Sequence, residues 1–510
     1  MTGERKIHGG QEPGARKGAI SSKERASYRP SSLSDCLTHL REYFDALAPV
    51  RDKWRKRNLG YHLELERIYK YHVPSGSRVL EVGCGTGDLL ASLEPCYGLG
   101  IDISPSMIER AKARYPNLDF RCAAAETFEM KETTLDYVVL SDLLQYSFDM
   151  VDLFKALKPF CHARTRIIIN FHSRVWQPII TLAENLGLKY RLPSMNWVTK
   201  EDVGNMLQVA GFETVQVYSS MLCPKRFPII SRFLNRVLAP FLPFRWFCLT
   251  NWIVARLPMH PLQKDPDDKP KTPTVSVICP CRNEAGNIPE IVKRLPQMGS
   301  HTELVFVEGH SKDDTYQACL DAKAAHADLD ISVYQQPGKG KKDAVWLGFS
   351  KIKCDIMMIL DADMTVPPED LPGFYEVLVE GRAEFVNGSR LLYAMEGEAM
   401  RFLNLVGNKF FGLVFSFLLG QTVRDTLCGT KVLLRRDVER ILAGQAYFGQ
   451  FDPFGDFDLL FGASKLGLKI LDRPIRYRER SYGETQISRF RHGWMLLKMC
   501  GKGLLRLKMR

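Results

Sequence analysis

The chain has 510 residues, 45% of them hydrophobic and 25% charged, a balance that excludes wholesale disorder and, at roughly 150 residues per unit, predicts two or three compact domains. Its formal net charge of +12 is concentrated near the C-terminus, where Arg473, Arg476, Arg478, Arg480, Arg489, Arg491, Lys498, Lys502, Arg506, Lys508 and Arg510 face only Glu479 and Glu484, so that end is expected to seek an anionic partner. The most apolar stretch, Phe410 to Gly420, is about half the length a membrane-spanning helix needs, and thirteen cysteines without a CxxC pair predict reduced thiols in a cytoplasmic setting.

Residues 1–30 are basic and polar without an apolar signal region and are expected to form a disordered tail. From 33 to 224 helical spacing over Leu33 to His72 gives way to short β-branched runs alternating with helical stretches, which predicts βαβ units in a parallel sheet. Strands are expected at Arg78 to Val82, Gly98 to Ile103, Leu135 to Leu140 and Arg166 to Phe171, with a late pair around Phe212 to Tyr218. Residues 225–273 mix aromatics with Arg226, Arg232, Arg236 and Arg245 and end in a Pro/Asp/Lys-rich run; they are expected to be an amphipathic bridge and linker. A second αβ series fills 274–490, and 491–510 reads as a basic amphipathic end. The fold class is therefore α/β, with two doubly wound domains.

In the first domain VLEVGCGTGDLL places Gly83, Gly85 and Gly87 between a strand and a helix start, a turn that lets a nucleoside approach the backbone closely. Asp102 follows at the end of the next strand, about 20 residues on, where a carboxylate can bind ribose hydroxyls. The wording E-V-G-C-G-T-G with Glu81 ahead of the glycines resembles class I S-adenosylmethionine-dependent methyltransferases over about residues 75 to 220. That resemblance implies a Rossmann-like fold and S-adenosyl-L-methionine bound by Glu81, Gly83, Gly85, Gly87, Asp102 and Ser141. Where the family often has an Asp for adenine, RCAAAETF offers alanines and then Glu126, the candidate substitute. Asp142, His172 and Tyr146 are open alternatives for a group facing the methyl acceptor.

In the second domain VSVICPCRNE ends a strand with Pro280, Asn283 and Glu284, and a later strand runs into EGHSKDDT, with Glu308, Ser311 and Asp313. Polar groups at the carboxyl ends of strands are where open α/β sheets bind ligands. IMMILDADM brings Asp361 and Asp363 to the end of an apolar strand around Ala362. Alternate residues of an extended chain point the same way, so the two carboxylates are expected to hold Mg2+ or Mn2+ against a diphosphate.

CPCRNE, EGHSKDDT, GKGKKDA and DAD in this order resemble the family 2 glycosyltransferases of the GT-A fold, and within them the dolichyl- and polyprenyl-phosphate sugar synthases. The resemblance implies that Pro280, Asn283, Glu284, Glu308, Ser311, Asp313, Lys339, Ala362 and Arg480 bind a nucleotide-sugar and that Asp361 and Asp363 carry the metal and catalysis. It further implies that Arg390, Arg401 and Asn404 bind the acceptor phosphate.

The resulting expectation is transfer of a hexose from a UDP- or GDP-sugar to a polyprenyl phosphate, with inversion, by a bifunctional enzyme on the cytoplasmic face of a membrane. An alternative acceptor is a saccharide hydroxyl, for which Asp452, Asp456 or Asp458 in FDPFGDFD would be the base, or else helix caps. A second alternative makes the methyltransferase half a non-catalytic binding module. The basic residues interleave with aliphatics rather than exposed aromatics, so nucleic acid is not expected as a partner.

Overall fold

The structure, a computed structural model, describes residues 32–130, 134–190, 193, 196–259, 272–391, 402–449, 452, 455–475 and 489–509. Four of the expected runs form strands: β1 (Arg78–Val82), β2 (Tyr97–Asp102), β4 (Tyr137–Ser141) and β5 (Arg166–His172). Each is buried over most of its length, as parallel strands covered by helices on both faces must be. β3 (Asp119–Cys122) was not legible, because of its four residues only Phe120 is buried and no apolar period exists to detect. β6 (Glu213–Ser220) fills the expected late position.

The partner of β6 is β7 (Thr250–Arg256), and this corrects the expected bridge over 225–273. The sheet order is β3-β2-β1-β4-β5-β7-β6, with β7 antiparallel to both of its neighbours. All seven β7 residues are buried. Its polar members disguised it, yet each is satisfied inside: Asn251 Oδ1 accepts from Ser219 Oγ at 2.9 Å, and Thr250 Oγ1 donates to the Ser220 carbonyl at 3.0 Å. Arg256 is held by Glu213 of β6 at 3.2 Å and by Glu384, described below.

The second sheet comprises β8 (Val275–Cys281), β9 (Thr302–Glu308), β10 (Asp330–Gln335), β11 (Ile356–Ile359), β12 (Phe385–Ser389), β13 (Lys431–Leu434) and β14 (Ile470–Pro474). Its order is β10-β9-β8-β11-β13-β12-β14, with β13 antiparallel to β11 and β12. This inserted strand brings the loop before β13 to the carboxyl end of β11, where the acidic pair lies.

A polar seam sealed from water joins the two domains. Glu384, just before β12, accepts from Arg166 Nη2 of β5 at 2.6 and 2.7 Å and from the Lys469 backbone N–H at 3.0 Å. Arg256 Nη1 of β7 lies 2.9 Å from the same carboxylate. The three side chains are 3%, 4% and 0% exposed for Glu384, Arg166 and Arg256. Burial alone would raise the Glu384 carboxyl, but the two guanidiniums hold it below the usual carboxylate range. Arg166 Nε also donates to the Gly467 carbonyl at 2.8 Å, and Gln216 Nε2 donates to the Ser464 carbonyl at 2.7 Å.

The helix Phe402–Leu419 turns Phe411, Phe415 and Leu418 into the second domain and leaves Phe410 and Leu413 exposed. The helix Arg489–Gly503 buries Leu496 and Met499 in the same core and exposes Trp494 and Leu497. The end 491–510, expected as a separate segment, thus contributes one of its faces to the core of the second domain. Between β6 and β7 the chain makes short helical turns that expose Ile229, Leu242 and Trp246, and Phe241 stacks on Phe417 with ring centroids 6.0 Å apart. Among the described residues no helix is long and apolar enough to cross a membrane.

Candidate functional site

A cavity of about 490 Å³ opens at the carboxyl ends of β1, β2 and β4. Glu81, Gly83, Gly85, Asp102, Glu126 and Ser141, all singled out from sequence, line it. Gly87 does not: with φ at 75° a Cβ there would stand 2.5 Å from the Phe120 ring, so this glycine serves the packing of the turn. Asp102 accepts backbone N–H bonds from Gly85 at 2.8 Å and Ser104 at 2.9 Å, bracing the turn that it closes.

Glu81 is 3% exposed and accepts the Leu90 N–H at 2.9 Å, at the start of the following helix. Burial pushes its carboxyl up to about 8. A folded-state value above the unfolded one favours the protonated form, so this contribution to stability is full below about pH 4.5 and declines as pH rises through 8. Glu81→Gln keeps an oxygen acceptor and no charge. Urea melts are therefore expected to show the variant gaining on the unsubstituted protein by about a few kcal/mol between pH 5 and pH 8; a pH-independent gap would mean that Glu81 titrates alike in both states.

Sequence reasoning missed Arg51, which stands on the helix Arg51–Arg57 outside any motif. Its guanidinium lies over the turn, 3.3 Å from where a Gly85 Cβ would be, and its buried Nε has no hydrogen-bond partner among the described residues. An unpaired guanidinium nitrogen over a glycine turn, with Asp102 beside it, fits the carboxylate and ribose of an aminoacyl nucleoside such as S-adenosylmethionine.

Also lining the cavity, Tyr61 donates its hydroxyl to Asp142 at 2.7 and 2.8 Å, and Asn170 Nδ2 donates to Asp142 Oδ1 at 2.7 Å. His172 Nε2 is 3.3 Å from the Tyr61 oxygen. All three sequence alternatives, Asp142, His172 and Tyr146, line the cavity, and Asp142 is already bound on both oxygens.

In the second domain the acidic pair leaves the sheet earlier than expected. β11 ends at Ile359, and Asp361 to Met364 form a turn with Met364 at φ 53°, so strand alternation does not aim the carboxylates. Asp363 accepts from Thr365 N and Oγ1 at 3.2 and 2.8 Å. Asp361 is paired with the Lys341 ammonium at 2.6 Å. Burial alone would raise the Asp361 carboxyl; Lys341, Lys431 and Arg390 hold it low. Lys339, expected to bind nucleotide, is exposed, and the ammonium at the acidic turn is Lys341, first residue of the helix Lys341–Lys351.

Lys431 of β13 is fully buried and donates to the Cys428 carbonyl at 2.6 Å, with Asp456 3.4 Å away. Gly429 packs directly on the Asp361 carboxylate. Among the described residues no three His, Cys, Asp or Glu side chains converge. The two carboxylates still suit a hard cation whose other ligands come from a diphosphate.

The other expected nucleotide residues knit the loops after β8 and β9 together. Asn283, at φ 57°, donates its N–H to Ser311 Oγ at 3.0 Å and accepts Lys312 N–H on Oδ1 at 2.8 Å. Glu308 accepts from Ser311 N–H and from Gln335 Nε2, and Asp313 accepts from Ala285 N–H. Glu284 holds Asn287, Pro280 sits half-buried at the end of β8, and Ala362 is buried in the acidic turn. Arg390 spends two N–H groups on a bidentate pair with buried Asp425, at 2.7 and 2.9 Å. Arg401 and Arg480 and the side chain of Asn404 lie outside the described residues.

Of the three aspartates considered as base, Asp452 caps a helix by accepting the N–H groups of Phe457 and Asp458, at 2.8 and 3.0 Å. Asp456 pairs with Lys431 and Asp458 with Lys342 at 2.6 Å.

A glycine turn over a nucleoside-sized cavity and an acidic turn ringed by cations define two transferase-type α/β units in one chain. Residues 79–163 match the family model of a methyltransferase domain and residues 276–442 that of glycosyl transferase family 2, so the chain joins a methyltransferase domain to a family 2 glycosyltransferase domain. Similar curated proteins include an undecaprenyl-phosphate 4-deoxy-4-formamido-L-arabinose transferase of Klebsiella pneumoniae (strain 342), 30% identical over 22% of this chain and 36% of that protein. Its counterpart from Pseudomonas fluorescens (strain SBW25) is 26% identical over 42% of this chain and 61% of that protein. The chain thus spans less than two thirds of these relatives. Among solved structures, magnesium protoporphyrin IX methyltransferase from Synechocystis PCC 6803 is 17% identical with a TM-score of 0.32, over 44% of this chain and 99% of that one.

Proposed function

We propose that the second domain transfers a hexose from a UDP- or GDP-sugar to a polyprenyl phosphate with inversion, and that the first binds S-adenosylmethionine for a methyl transfer. The Asp361–Lys341 pair pressed against Gly429, with Lys431 and Arg390 nearby, is the feature that carries the glycosyl-transfer reading. Mg2+ or Mn2+ held by Asp361 and Asp363 would neutralise charge on the departing nucleoside diphosphate. Lys341 and Lys431 add fixed positive charge at the same sheet end. A phosphate acceptor arrives ionised and needs no base, in keeping with Asp452, Asp456 and Asp458 being engaged elsewhere. Undecaprenyl phosphate in the names of the relatives supports the lipid acceptor.

The expected setting is the cytoplasmic surface of a membrane. Exposed Ile229, Leu242 and Trp246 of the first domain and Leu413, Trp494 and Leu505 of the second are accompanied by exposed Arg232, Lys498, Lys502 and Arg506. Apolar groups interleaved with cations suit an anionic bilayer interface, and the Phe241–Phe417 stack links the two contributions.

Purified protein incubated with Mg2+ or Mn2+, a panel of UDP- and GDP-sugars and undecaprenyl phosphate is expected to yield organic-extractable sugar, and Asp363→Ala is expected to lose it. Hydrolysis of the nucleotide-sugar without a lipid product would instead favour a saccharide acceptor.

A further inference from the structure

The connection between β6 and β7 carries charge of one sign. From Thr214 to Lys264 there is no acidic residue, while Lys225, Arg226, Arg232, Arg236 and Arg245 stand between β6 and Phe247. Glu64, which attracts Arg236 from a neighbouring helix, is already taken by Arg67 Nε at 3.1 Å. Burial and the guanidiniums of Arg67 and Arg232 hold Arg236 below its usual range, and burial with Arg245 does the same to Lys200. Positive charge is therefore left uncompensated on this side of the domain.

The same connection is apolar where it is most open. Ile229 is 83% exposed, Trp246 67% and Leu242 64%, and Phe227, Phe233 and Phe247 are exposed as well. None of these six lines the cavity, so what they expose lies on the outer surface. Pro228, Pro240 and Pro243 break the connection into short turns, so it has no helix long enough to lay an apolar stripe into a partner's groove. The surface and the cavity wall share their chain. Pro224 and Lys225 line the cavity and lead directly into Arg226 and Phe227. At the far end the Phe247 carbonyl accepts Trp176 Nε1–H at 2.7 Å, and Trp176 and Ile179 also line the cavity. Trp176 opens into the helix Gln177–Asn185, which leaves Leu182 exposed.

Resting on the reading that the chain works at a membrane surface, we propose that the first domain has its own docking face for an anionic lipid bilayer, formed by Phe227 to Phe247 with the helix Gln177–Asn185, and that this face holds the cavity next to the lipid. Apolar side chains on such a face sink about 5–10 Å into the headgroup layer, and the cations beside them meet lipid phosphates. A protein partner brings a polar rim with charges of both signs, and this connection has no acid to receive the cations. The bilayer presents only the sign that it can receive.

Hydrogen exchange of the full chain with and without vesicles tests the assignment. With phosphatidylcholine vesicles containing about 30% phosphatidylglycerol, peptides covering 174–188 and 225–247 are expected to lose exchange. Those of the helix Pro105–Arg114, beside β3 at the opposite edge of the sheet, should be unchanged. Arg226→Glu with Arg232→Glu is expected to lower partitioning into these vesicles about 10-fold or more, and Ile229→Ser with Trp246→Ser by about as much, each with the melting temperature retained. Vesicle binding with protection confined to 402–419 and 489–509 would overturn the proposal and leave the membrane setting in place, whereas no vesicle binding at all would remove that setting too. Protection of 225–247 that grows with protein concentration in the absence of vesicles would assign the face to a second copy of the chain instead.

Discussion

Glu384→Ala is expected to lower the melting temperature by on the order of 10 °C and to split one unfolding transition into two. The substitution deletes the carboxylate that meets Arg166 at 2.6 and 2.7 Å and Arg256 at 2.9 Å, and leaves two guanidiniums that cannot reach water. Breaking a buried pair from one side costs about 3–5 kcal/mol, and a kcal/mol is worth roughly 2–4 °C in domains of this size. Because Arg166 and Arg256 belong to the first sheet and Glu384 to the second, the loss falls on the joint between them, which is why the halves are expected to melt separately in calorimetry. Combining Glu384→Met with Arg166→Met should recover much of the loss, since Arg166 would otherwise be stranded, while Arg256 keeps Glu213 at 3.2 Å. If the double variant is no better than the single one, the seam acts through shape rather than charge.

Gly429→Ala is expected to reduce sugar transfer about 100-fold or more while leaving cofactor binding in the first domain and the melting temperature nearly unchanged. A single methyl group there overlaps the Asp361 carboxylate and comes within 2.5 Å of the Lys341 ammonium. Neither group can retreat without leaving the position from which it would meet the diphosphate, and a misplacement of about 1 Å can cost 10²-fold. Parallel assays of nucleotide-sugar turnover and thermal melting check this. Retained transfer would mean that Asp361 moves freely and that the pair seen here is not the working arrangement.

Where side-chain chemistry is written locally, the sequence was a good guide. The glycine turn and Asp102 stand at sheet ends because each is fixed by the strand beside it, whereas Glu126 and the acidic pair lie in turns beyond their strands. Long-range partnerships were invisible. Nothing local in TNWIVAR announces that Arg256 will be neutralised by carboxylates from two domains, so in the sequence alone the segment reads as bridge. Arg51 and Tyr61 reach the cavity from helices outside the motifs, and Lys341 was passed over for Lys339 because two residues of register at a helix start decide which ammonium turns inward. Glu308, Ser311 and Asp313 carry the polarity expected of a binding loop, yet part of it holds the loops to each other.

Since Ser220 pairs with Thr250 and the Leu249 N–H donates to the Met221 carbonyl at 2.7 Å, the whole excursion between them leaves and re-enters the sheet at a single point. In topological terms it is a cassette: it can lengthen, shorten or change chemistry without rethreading a strand, at an entropic cost of only about 0.6 kcal/mol per doubling of length. Its first residues, Pro224 and Lys225, also line the cavity, and exposed Phe227 follows immediately. An exchange of the cassette would therefore alter in one event both an exposed apolar surface and part of the cavity wall.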